Sequence, residues 1–120
     1  MTRVTFLILL LLPSHVLRVE GSEWENILQQ LTQKKFSVVE KAVIALGQSG
    51  DQRAQPLLEA MLANELYQRK SDKQLVRAVG SRNDYTLYDI FSGSELAKEV
   101  SSRQLNRIRV NNKIRSTVRN

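Results

Sequence analysis

Six cations crowd one end of this chain: Arg103, Arg107, Arg109, Lys113, Arg115 and Arg119 follow one another with no carboxylate among them. A run of this kind attracts phosphates, whether of nucleic acid or of lipid headgroups, and the attraction is long-ranged and salt-sensitive. Tyr67, Tyr85 and Tyr88 lie upstream in the same basic half, where aromatic faces can stack bases. Asn83, Asp84 and Asp89 carry oxygen atoms of the type that hold calcium.

Spacing removes most of this chemistry. A calcium loop needs alternating ligands closed by a bidentate glutamate, and that pattern is missing around Asp84 and Asp89. Asp72, Asp84 and Asp89 each fall in or beside a turn, where an aspartate bonds its own backbone. Acid–base catalysis wants two titratable groups in different environments, and nucleophilic catalysis wants a nucleophile beside a base. The chain has no cysteine, one histidine (His15) and no glycine-rich phosphate loop. The expectation is a protein that is not an enzyme and needs no metal or cofactor. The tyrosines alternate along strand-like stretches and are expected to pack a sheet, with no nucleic acid as partner.

The first residues point to export. Met1-Thr2-Arg3 supplies a positive charge, Val4–Leu12 (VTFLILLLL) is almost wholly apolar, and Pro13 ends the run. This is a signal-peptide profile, and it is too short to span a bilayer, which takes ~20 apolar residues. Small-residue preferences place cleavage after Gly21, so residues 1–21 are expected to be a signal peptide that carries His15 away; an uncleaved anchor is the alternative. The location is then periplasmic or membrane-associated.

Residues 22–65 have helical periodicity. Trp24, Ile27, Leu28 and Leu31 follow Ser22, a candidate cap with Glu25 at the capping-box position. A second stripe, Val39, Ala42, Val43 and Leu46, follows Ser37 and Glu40 and is expected to end at Gly47. Ser49-Gly50-Asp51 makes a turn, and Asp51 can cap a third helix bearing Leu57, Leu58, Met61 and Leu62. Pro56 requires either that this helix start near Gln55 or that it bend there. The two helices of KAVIALGQSGDQRAQPLLEAML form a hairpin of HEAT-like pattern.

From Leu66 the period changes to two. Leu66–Lys70, Gln74–Val79, Tyr85–Phe91 and Leu96–Val100 are short strand-like runs separated by turn residues, and together they describe a small antiparallel meander over 66–102. Such a sheet needs the helices to cover one face. Residues 103–120 are expected to form a basic C-terminal helix. Within it Leu105 and Ile108 suit one short turn, Asn111 or Asn112 caps, and Val110, Ile114 and Val118 make one apolar stripe. The fold class expected is α+β. Charge divides at the same boundary: residues 22–65 are net negative, and the excess of basic side chains belongs to 66–120.

The segments SGDQRAQPLLEAML, ELYQRKSD, DYTLYD and LNRIRVNNKIR resemble the extracytoplasmic N-terminal region of the urea ABC transporter permease subunit, a relative of branched-chain amino acid permeases. In that family a signal sequence, a HEAT-like helical pair, a small strand-rich insert and an I-R-V-N-N-x-[IL]-R stretch occur in this order. The similarity covers about residues 40–118. Two departures stand out: Lys73 occupies a turn position that is often glycine in the family, and the chain holds no bundle of membrane-spanning helices.

What the resemblance implies is a non-catalytic extracytoplasmic accessory domain of a urea- or amide-type importer permease, truncated before its membrane domain. Its implied partners are a second permease subunit, a substrate-binding protein and ATPases, and no substrate residue carries over. The candidate interface toward later helices is Arg107, Ile108, Arg109, Asn111, Asn112 and Arg115. The alternative is a free-standing exported HEAT-like binding module whose basic surface meets acidic partners or an anionic membrane.

Overall fold

A computed structural model describes residues 23–119. The expected leader, its cleavage site and the Ser22 cap lie outside these residues. The fold is an α+β assembly in which three helices precede a five-stranded antiparallel sheet and a fourth helix follows it.

Helix α1 covers residues 23–31. Helix α2, Phe36–Ser49, buries Val39, Ala42, Val43 and Leu46, the i, i+3, i+4, i+7 stripe that drives its docking. It begins one residue before the expected Ser37 cap, and Lys35 at the cap position offers no side-chain bond. It ends at Gly50, whose φ of 68° suits a left-handed C-cap, and passes through Gly47 without interruption. Helix α3, Ala54–Leu62, buries Ala54, Leu57, Ala60 and Met61. Pro56 falls in its first turn, where its missing N–H costs no hydrogen bond, so the helix needs no kink.

Strands β1 (Leu66–Arg69), β2 (Leu75–Ser81), β3 (Asp84–Asp89) and β4 (Glu95–Val100) form the expected meander. A fifth strand, β5 (Leu105–Arg107), pairs with β1, giving the order β4-β3-β2-β1-β5. The stretch expected to be a helical turn is therefore strand, and the boundary expected after residue 102 falls inside the sheet. Spacing explains the misreading. Three residues apart on a helix share a face, whereas three apart on a strand point to opposite faces. Leu105 enters the cluster of Tyr67, Val76, Ala78, Tyr85, Leu87 and Val100, and Ile108 enters the cluster formed with the helices.

The sheet is curled. Laid flat, β4 and β5 would stand roughly 19 Å apart, four spacings of ~4.8 Å. The link from Val100 to Leu105 includes the 3-10 turn Ser102–Gln104 and reaches only about 14 Å at ~2 Å per wound residue and ~3.5 Å per extended one. The edges must approach, and Val100 and Leu105 meet in one cluster. Ser101 fastens the link by accepting from the Arg103 amide and donating to Asn83 Oδ1 at 3.1 Å. A second apolar core thus forms on the face the helices do not cover. The helices meet the other face through Leu66, Leu75, Ile90 and Ile108.

The hairpins β1–β2 and β3–β4 close in the same way. Arg69 and Asp89 each donate an amide to the residue five on, Gln74 and Ser94 (2.8 Å in both), and the residue before it, Lys73 or Gly93, donates back (2.7 and 2.9 Å). That residue is left-handed in both loops, with φ of 61° at Lys73 and 76° at Gly93. Near the end of β2, Gly80 has φ 136°, and a Cβ there would run into the Asp84 carbonyl oxygen, which excludes other residues. On β4 the register slips between the pairs Tyr85–Val100 and Leu87–Ala97, a bulge at which Glu99 turns left-handed, φ 54°.

Helix α4, Asn112–Arg119, lies across α2 and α3, most broadly on α2. Ile114 is buried and Val110 and Val118 pack against the helical cluster. The expected stripe of Val110, Ile114 and Val118 is thus turned to the helices of the same chain, and burying Ile114 alone contributes roughly 2 kcal/mol.

Candidate interface around the basic tail

Of the six residues expected at the interface, three are committed to the fold. Ile108 is buried and donates its amide to the Leu66 carbonyl at 3.0 Å, which prolongs the β1–β5 pairing. Asn111 caps α4: its Oδ1 accepts from the Ile114 amide at 2.8 Å. Arg115 donates from Nη1 to the Leu62 carbonyl at 2.8 Å and from Nη2 to Asn64 Oδ1 at 3.0 Å, closing the C-terminal end of α3.

The remaining three face outward. Asn112 is exposed. Arg107 rests on Tyr67, its Nε and Nη2 donating to the phenol oxygen at 3.2 and 3.1 Å. These bonds hold the guanidinium pKa above its ordinary value. Tyr67 stacks obliquely on Tyr85, 5.6 Å between ring centres, and its neighbouring hydroxyl, with burial adding, pushes the Tyr85 phenol up. Arg109 lies 4.9 Å from the centre of the Phe36 ring. Lys113, itself exposed, stands 3.6 Å from the half-buried Glu40.

The tyrosines therefore pack the sheet as their alternation implied, although they divide: Tyr67 and Tyr85 are buried, while Tyr88 lies under Arg77. Two of the three turn aspartates bond backbone. Asp89 accepts from the amides of Phe91 and Ser92, which holds its carboxyl below the ordinary range, and Asp72 accepts from the Gln74 amide and Arg69. Among the described residues no three His, Cys, Asp or Glu side chains converge as metal ligands.

Arg109 shares a cleft of about 500 Å³ with Lys34, Thr32, Gln68 and Asn106, while the Arg107 guanidinium turns to Tyr67 on the opposite face of the sheet. Lys34 lies between α1 and α2 and escaped sequence reasoning, because only the sheet's β1–β5 pairing brings the tail beside that loop. No protein-family model, curated protein or solved structure matches this chain. Among the described residues no helix is long and apolar enough to cross a membrane.

Proposed function

We propose that this chain is a non-catalytic, extracytoplasmic accessory domain of a urea- or amide-type ABC importer permease, acting beside a second permease subunit, a substrate-binding protein and ATPases. The observation that carries the reading is the work done by the tail motif on which the resemblance rests. Within IRVNNKIR, Ile108 joins sheet to helices, Asn111 starts α4 and Arg115 ties α4 to α3. The motif's residue types are thereby accounted for as a strut that fixes α4 against the sheet and turns Asn112 and Lys113 outward. An accessory domain needs such rigidity to hold its neighbours at a set orientation. Catalysis would need reactive groups, and the described residues hold neither histidine nor cysteine.

Site-specific photo-cross-linking tests the proposal. A cross-linker at Asn112 in the full chain, expressed together with the importer subunits, should capture a permease subunit from the membrane fraction. Recovery of the chain in the cytosol, without that adduct, would sink it. The alternative of a free-standing exported module draws on the exposed cations Arg103, Arg107, Arg109 and Arg119, and would leave the chain uncross-linked in the periplasm.

A further inference from the structure

The cleft between the α1–α2 loop and β5 collects the cations of Lys34 and Arg109, and no carboxylate lines it. The ion pairs among the described residues are Arg53–Asp51, Arg69–Asp72, Arg77–Glu65, Lys98–Glu95 and Lys113–Glu40, so neither Lys34 nor Arg109 is paired among them. Like charges brought together without counter-charges repel one another, and folding tolerates them at little gain of its own. Here one is also held in place: the ring of Phe36 supports Arg109 from below. Thr32, Gln68 and Asn106 add uncharged polar groups to the same walls. Helix α2 starts at Phe36, close after Lys34, with no side-chain cap on its positive end.

We propose that this cleft binds a phosphate-class oxyanion. A supported guanidinium and an ammonium, on walls that also carry Thr32, Gln68 and Asn106, match a tetrahedral group with several charged oxygens better than a carboxylate, which has only two. The anion would supply the counter-charge that the protein withholds. The same chemistry is offered by free phosphate and by the phosphate of an anionic lipid headgroup, and experiment separates them.

The full chain, labelled with nitrogen-15, is titrated with inorganic phosphate in a phosphate-free, low-salt buffer. Saturable amide shifts are expected at Thr32–Lys34 and Asn106–Arg109. The double variant Lys34→Gln/Arg109→Gln should bind at least tenfold more weakly, while Arg103→Gln/Arg119→Gln, which removes equal charge elsewhere, should bind as before. Flotation with phosphatidylglycerol vesicles, against phosphatidylcholine, forms the second arm. Flotation lost in the cleft variant and kept in the other, without shifts from inorganic phosphate, assigns the lipid headgroup as the source. Absence of binding to either probe, or equal weakening in both variants, overturns the proposal. Both variants alter exposed residues, and unchanged denaturation midpoints establish that they fold.

Discussion

Arg115 on α4 and Asn64 just beyond α3 are joined by a 3.0 Å hydrogen bond, and the same guanidinium reaches the Leu62 carbonyl at 2.8 Å. One side chain thus closes one helix and anchors another. Charged hydrogen bonds of this sort contribute about 1.5–3 kcal/mol. Arg115→Ala should lower stability in urea denaturation by about 2 kcal/mol, and Arg115→Lys should recover only part of it, since an ammonium lacks the two-pronged geometry. Equal stability of all three proteins would refute the role.

Lys73 and Gly93 occupy equivalent left-handed positions in two hairpins of the same form. A side chain there costs ~1–2 kcal/mol, partly offset by the extra freedom glycine has when unfolded. Lys73→Gly is expected to stabilise the protein by about 1 kcal/mol, and Gly93→Ala to destabilise it by a similar amount. Thermal or chemical melts check both signs; a loss on Lys73→Gly would contradict the loop geometry.

The Asn111 cap makes a prediction about local order. Losing it costs about 1 kcal/mol, and α4 is short, Asn112–Arg119. Asn111→Ala should raise amide exchange across α4 several-fold while leaving β2 and β3 unchanged, and Asn111→Asp should restore protection. Exchange at Ile114 in the parent protein should be slow, because its side chain is buried against α2 and α3.

Asp51 governs an acid response. Its carboxyl accepts from the Arg53 side chain and amide, and the pKa is lowered to about 2. A depressed carboxyl contributes stability above its unfolded pKa of about 4 and loses it as pH falls through the folded value. The contribution should therefore fade between about pH 4 and pH 2. Carboxyl carbon-13 titration should find the Asp51 midpoint well below the ordinary aspartate range, and Arg53→Gln should return it toward that range. The site is exposed, so added salt should shrink the effect.

The helical stripe Val39, Ala42, Val43 and Leu46 and four of the five strands are legible in the sequence, because each repeats its period long enough to be read. Asn111 was legible as a cap for the same local reason. Strand β5 was not: Leu105–Arg107 is too short to alternate, and it exists because β1 offers an unpaired edge. The helix limits at Lys35 and Gly50 shifted from Ser37 and Gly47 because burial of the stripe outweighs a local cap. The cleft was invisible for a deeper reason. Lys34 and Arg109 are far apart in the chain, and only tertiary pairing makes them neighbours.

The bulge at Glu99 also bears on how the molecule keeps to itself. A straight outer strand displays a ladder of free amides and carbonyls that can recruit another protein's backbone. The left-handed residue in β4 bends that ladder out of line, charged Glu95, Lys98 and Glu99 stud it, and at the opposite rim β5 spans only Leu105–Arg107. Neither rim gives an incoming strand a long run of matched partners, so a sheet of this size resists growing by accretion into fibrils.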